Sequence, residues 1–232
     1  RRASTIRAPE GLRRGLWGQQ NVSRQATALA VADNRIDQAG WGQPAWASGA
    51  VGATEQFISF AIEDDQYGGD LMSRIAFAQF NPGNLRKLHT RILGLLNQHV
   101  ERICRESGVL SKWIYKVVVV GNTCMHHILL GIDPSHVGLA PYAPVMRHAL
   151  TLPARDLFLK VAPEARVCLL PLVAGFVGAD AVAVALATRI DEGAEVRIAV
   201  DIGTNGEVLL GSRDRLWACS APAGPALEGA QI

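Results

Sequence analysis

The chain has 232 residues, 49% hydrophobic and 19% charged, which suffices for one large or two small globular domains and is too apolar for a solvated disordered chain. Its 23 Lys and Arg against 21 Asp and Glu leave a net charge of +2, which gives no broad electrostatic footprint for nucleic acid or an anionic membrane surface. Cys104, Cys124, Cys168 and Cys219 are widely spaced with no Cys-x-x-Cys pair, which argues against a zinc ribbon or iron–sulfur cage within the chain. With no apolar signal segment at the start, this cysteine usage points to a reducing cytoplasm.

Residues 1–60 are rich in Ala, Gly, Arg and Gln. Arg1, Arg2, Arg7, Arg13, Arg14 and Arg24 face a single acid, Glu10, without helical or alternating pattern, and read as a poorly packed end rather than a basic arm. Two apolar stretches, 26–32 and 49–62, carry no legible chemistry, although the second is a strand candidate.

From Tyr67 the pattern sharpens. Asp70 can cap a helix over 71–78, and Asn81-Pro82-Gly83-Asn84 reads as a turn. Leu85, Leu88, Ile92, Leu95, Leu96, His99, Val100 and Ile103 then follow a 3.6-residue period, predicting an amphipathic helix of about five turns that ends before Gly108. Tyr115 to Val120 is a β-branched run, the mark of a strand buried on both faces. It stops at Gly121-Asn122-Thr123, and a short apolar helix follows, ended by Gly131. Residues 137–163, with Pro141, Pro144, Pro153 and Pro163, read as loop and connector.

A strand over 166–170 and a helix over 179–189 come next. The apolar run 169–187 has the look of a membrane span, but Asp180 near its middle would cost roughly 2.5 to 3.5 kcal/mol, and Pro171, Gly175 and Gly178 interrupt it. A strand, a glycine turn and a buried helix explain it better. Val196 to Val200 predicts another buried strand, leading through residues 201–207 into a returning strand over 208–210, with Asn205-Gly206 as the hairpin signal. A third strand over 216–220 precedes a segment that should open a helix.

The chemistry concentrates at Asp201-Ile202-Gly203-Thr204-Asn205-Gly206-Glu207. A strand ending in this motif and folding straight back makes a loop of backbone donors with a carboxylate at its root. Gly203 and Gly206 let main chain approach a polyanion, Thr204 and Asn205 add side-chain donors, and Asp201 could hold Mg2+ beside phosphates. An ordinary stabilised hairpin has the same spacing, so the residues alone leave both readings open. Glu207 is either a cleft carboxylate or a cross-strand partner.

The motif DIGTNGEVLLG, with the following ACSAPAGPALEG, closely resembles the second phosphate-binding loop of the acetate kinase, sugar kinase, heat-shock protein and actin (ASKHA) superfamily. Within it the resemblance is to the ATP-dependent reductive activators of corrinoid proteins. YGGDLMSRI, VVVVGNTCMHHILLGIDP, LAPYAPV and LLPLVAGFVGAD look like the same family's signature in the same order, so the resemblance covers residues 60–232. It implies an α/β fold of two ribonuclease-H-like lobes, incomplete at both ends. On that expectation residues 1–60 are unassigned, 61–150 are the remainder of the first lobe, 151–195 a connector strand and helix, and 196–232 the start of the second lobe.

Carried over onto this sequence, Asp201, Gly203, Thr204, Asn205 and Gly206 match the phosphate-contact loop, with Asp201 as metal ligand and Asp201 and Glu207 as the expected catalytic carboxylates. Gly121, Asn122 and Thr123 match a strand end facing the same cleft, and Gly224, Glu228 and Gly229 a segment near it. The implied cofactors are ATP and Mg2+, with an iron–sulfur cluster only in a ferredoxin-type domain absent from this chain. The implied activity restores a corrinoid protein from Co(II) to Co(I) with ATP turnover. Its partner would be a corrinoid protein or corrinoid-dependent methyltransferase, with a homodimer as a further arrangement, and neither nucleic acid nor membrane is involved. Against the family pattern, residues 1–60 hold no first-lobe Asp-x-Gly-Thr-Thr loop, so the chain reads as a fragment. Alternatives on the same fold are a small-metabolite kinase and a non-catalytic dimerisation or docking module.

Other polar residues have plainer readings. Cys124, His126 and His127 invite a metal, but a helix puts His126 off the face shared by the other two, and the family carries a histidine at the position of His127, which favours packing. Asp180 at a helix start reads as a cap or buried hydrogen bond.

Overall fold

The computed structural model describes residues 4–6, 29–32, 58–61, 71–202 and 205–222. Among the described residues three short strands, β1 (Ser4–Ile6), β2 (Leu29–Ala32) and β3 (Ile58–Ala61), precede the first helix, with β2 and β3 paired in parallel.

Helix α1 (Leu71–Phe80) buries Leu71, Arg74, Ile75 and Ala78, one face at helical spacing. Helix α2 (Pro82–Ser107) has 26 residues and is longer than its apolar period suggested. The expected turn at 81–84 is its first turn. The Asn81 side chain caps it by accepting from the Gly83 N–H at 2.8 Å, and Pro82 needs no N–H at the first helical position. Asn84 closes the corner by donating to the Phe77 carbonyl at 2.8 Å. Gly108 ends α2 with φ of 71°, a left-handed conformation in which a side chain would be strained.

Strand β4 (Lys116–Val119) leads to helix α3 (Thr123–Leu129), capped by the Asn122 side chain accepting from the Met125 N–H at 2.9 Å. A single turn of helix, α4 (Ser135–Gly138), precedes strand β5 (Leu150–Pro153), and β6 (Arg166–Leu169) follows. β6 is the centre of a three-stranded sheet, parallel to β4 and antiparallel to β5. β5 lies in the proline-rich stretch expected to be loop. An edge strand tolerates Pro153 because its N–H is not required by a second neighbour. Strands β5 and β6, expected to belong to the connector, thus share one sheet with β4. Leu88, Ile92 and Leu96 of α2, Ile128 of α3, Val117 and Val119 of β4, and Val167 and Leu169 of β6 form the main core under it.

Helix α5 (Ala179–Thr188) links this body to the antiparallel strands β7 (Arg197–Ile202), β8 (Asn205–Ser212) and β9 (Arg215–Pro222), which join β1 in the order β1-β9-β8-β7. A second core cluster, with Ala181, Ile190, Leu209, Leu216 and Ala218, fills the space between α5 and this sheet. β7 departs from the expectation of a buried strand. It is the edge, and Ile198, Val200 and Ile202 on one face are 64%, 52% and 62% exposed, while Ala199 faces the α5 side. Among the described residues no helix is long and apolar enough to cross a membrane.

Candidate functional site

The β7–β8 ladder runs deeper into the glycine motif than its turn signal suggested. Asp201 pairs with Glu207 and Ile202 with Gly206, while Asn205 and Gly206 also pair with Pro222 and Ala221 of β9. Asn205-Gly206 is therefore strand, and Gly203 and Thr204 lie outside the described residues. Gly224, Glu228 and Gly229 lie outside them too.

Directly opposed residues of an antiparallel pair share a face, so the Asp201 and Glu207 carboxyl groups stand side by side. Glu207 is also opposite Ser220, whose Oγ donates to Oε1 at 2.9 Å. It is thus a cross-strand partner and a neighbour of other carboxylates at once. Burial, then the charges of Asp180 and Asp201, push Glu207 up to about 7 against the pull of the Ser220 hydrogen bond. Burial likewise raises Asp201. Among the described residues no basic side chain offsets either shift.

Asp180, on the first turn of α5, joins this pair to the first sheet. Its Oδ1 accepts from the Ala181 N–H at 2.8 Å. The Gly121 carbonyl at the end of β4 accepts from the N–H groups of Ala179 at 3.0 Å and Asp180 at 3.4 Å. Gly178 permits this approach. A Cβ there would fall 2.6 Å from Asn122 Cα and 2.7 Å from both the Gly121 oxygen and Asp180 Oδ1. The structure therefore gathers Gly121, Asn122, Asp201 and Glu207 around the start of α5. Asp180 was legible only as a helix-start acid, and nothing in its local pattern tied it to the hairpin.

The side chains of the 121–123 segment are already engaged. Asn122 caps α3, and Thr123, fully buried, donates its hydroxyl to the Ala174 carbonyl at 2.7 Å. What this segment offers to a ligand is main chain.

Behind it lie two buried histidines. His127 Nδ1 donates to the Thr123 carbonyl at 2.7 Å and its Nε2 accepts from the Val145 N–H at 3.0 Å, which sets a neutral tautomer and commits both nitrogens to packing. His126 is 1% exposed, and neither ring nitrogen has a hydrogen-bond partner. Burial and the neighbouring His127 depress it to about 4. Among the described residues no group of three or more His, Cys, Asp or Glu is arranged to hold a metal ion.

The profile of the RACo middle region matches residues 54–193, more than half of the chain. The chain belongs to the RACo family. A second profile, the C-terminal ASKHA domain of RACo, matches residues 195–232, so the two meet in the turn before β7. The fold class is α/β of ASKHA type.

This RACo-family chain is 38% identical over 166 residues to the corrinoid activation enzyme RamQ of Eubacterium limosum, covering 72% of the chain and 28% of RamQ. It is 37% identical over 89 residues to the [Co(II) methylated amine-specific corrinoid protein] reductase of Methanosarcina barkeri, covering 38% of the chain and 16% of that protein. Its structure superimposes on a reductive activator for corrinoid, iron–sulfur protein with a TM-score of 0.69 at 38% identity, covering 72% of the chain and 27% of the activator. The chain therefore spans less than a third of the length of these relatives.

Proposed function

We propose that this chain carries part of the nucleotide cleft of an ATP-dependent reductive activator that returns a corrinoid protein from Co(II) to Co(I). The observation that carries the reading is the convergence of the Asp201/Glu207 pair and the Gly121 main chain on the first turn of α5. In this reading Asp201 takes Mg2+ through its carboxylate, directly or through water, while Gly203 to Gly206 bring main-chain N–H groups to the phosphates. Magnesium would supply the charge that neutralises the polyphosphate.

Glu207, held near neutrality, is suited to keep or accept a proton beside that charge. Asp180 and the Gly121–Asn122 main chain form the facing wall, so a ligand bridging both would bias the angle between the two sheets. The electron for the cobalt would come from a ferredoxin-type domain elsewhere in a longer polypeptide, and the partner would be a corrinoid protein or corrinoid-dependent methyltransferase. This reading places the protein in the cytoplasm, where low-potential electron carriers are kept reduced.

Calorimetry with Mg-ATP tests the cleft. Saturable binding by the wild-type chain that Asp201→Asn weakens about tenfold or more supports it, on the scale of a lost charge-assisted contact. Binding indifferent to Asp201→Asn, or no binding at all, removes it. The cobalt chemistry is tested by ATP-stimulated growth of Co(I) absorbance with reduced ferredoxin domain and corrinoid protein present.

A further inference from the structure

His126 has no part in the reading above, yet it is the most anomalous polar group among the described residues. It is sealed from solvent at 1% exposure, and neither ring nitrogen finds a partner, whereas its neighbour His127 has both satisfied. Buried polar groups are rarely left unpaired, and one that is left so marks strain or a role in another state. The ring borders a small cavity with Leu96 of α2, Val119 of β4, Met125 of α3 and Gly121. The walls are apolar side chains, which offer no hydrogen bond. Gly121 has no side chain, so it presents only main chain to the cavity.

That same main chain leans the other way, its carbonyl accepting from Ala179 and Asp180 across the candidate cleft. The Gly121–Asn122 segment therefore lies between an unsatisfied imidazole behind it and the start of α5 in front. Gly178, with no room for a Cβ against Asn122 and Gly121, keeps that front contact tight.

We infer that His126 is a positioning residue for the strand-end segment Gly121–Asn122, and that its ring becomes hydrogen-bonded to this main chain when the segment moves to engage a nucleoside triphosphate. This rests on the nucleotide reading of the cleft. The unpaired ring raises the free energy of the unliganded arrangement and is relieved in the liganded one, so part of the binding energy is stored at His126 before the ligand arrives.

The test uses the chain labelled with 15N-histidine, its ring nitrogens observed by two-bond 1H–15N spectra with and without saturating Mg-ATP, and His126 identified by its loss in His126→Leu. The expected result is a shift of the His126 ring nitrogens into the hydrogen-bonded range, while those of His127, bonded throughout, stay where they are. His126→Leu should melt at or above the wild-type temperature yet bind Mg-ATP about tenfold more weakly, the equivalent of one net hydrogen bond. His126→Gln, which can still donate and accept, should bind closer to wild type than His126→Leu does. Saturable Mg-ATP binding with an unmoved His126 spectrum, or with His126→Leu binding as wild type, overturns this inference and leaves the nucleotide reading standing. An absence of saturable binding in the wild-type chain removes both.

Discussion

Burial keeps the His126 imidazole neutral down to about pH 4, whereas in the unfolded chain it would ionise near 6.5. Between those values the unfolded chain binds the extra proton, so stability rises with pH across the window and is lost as pH falls through it. The shift corresponds to about 3 kcal/mol lost between pH 6.5 and pH 4. Urea unfolding of the wild type at a series of pH values should show that slope, and His126→Leu should flatten it. At pH 7 the leucine variant should be no less stable, because an unsatisfied buried polar group costs about 1 to 3 kcal/mol and an apolar replacement of similar size does not. Neither the depressed ionisation nor the missing partners could be read from the sequence. A histidine at an apolar helix position looks the same whether its neighbours bond to it, as at His127, or leave it alone.

Helices and their contacts respond differently to the two kinds of glycine they contain. Gly94 sits mid-helix on the exposed side of α2, with nothing within 4 Å of where a Cβ would stand. Gly94→Ala should stabilise the protein by about 0.5 to 1 kcal/mol, seen as a higher denaturation midpoint at unchanged slope. Gly178→Ala should do the reverse, costing about 1 to 3 kcal/mol, since the added carbon meets Asn122 and Gly121 backbone. On the proposed nucleotide reading it should also weaken Mg-ATP binding more than a control variant of equal stability does, because it pushes the Gly121–Asn122 segment away from the start of α5.

The elements themselves were largely legible. The 3.6-residue period marked α2, the β-branched run marked β4, and glycine and proline breaks separated β6 from α5. The misses have local causes. Prolines hid β5, because an edge strand needs hydrogen bonds on one side alone. The Asn205-Gly206 signal misplaced the reversal, because pairing with β9 as well as β7 holds both residues in the ladder.

At the scale of the molecule, the described residues form three clusters of buried side chains, and the two larger ones are unequal in cover. The first surrounds its sheet with α1, α2 and α3, while the second lies on one face of the β7–β8–β9 sheet. The other face carries Ile198, Val200 and Ile202 of the edge strand β7 and Leu210 of β8 in the open, an arrangement prone to association. Sedimentation of this chain should show concentration-dependent self-association, and the double substitution Ile198→Lys with Val200→Lys should reduce it without lowering the melting temperature by more than a few degrees. Equal association of the two proteins would locate the contact elsewhere.

The sequence by itself determined most of the elements, the division of the apolar run 169–187 into strand, turn and helix, and the family, because periodicity, breakers and short motifs are local properties. It also marked Asp201, Glu207 and Gly121 as candidates. The tertiary structure alone decided that these residues converge on Asp180, that Glu207 is held near neutrality, that Thr123 turns inward and that β7 is an open edge. Each of these depends on which segments distant in the chain come into contact, and on how much water that contact excludes from charged and polar groups.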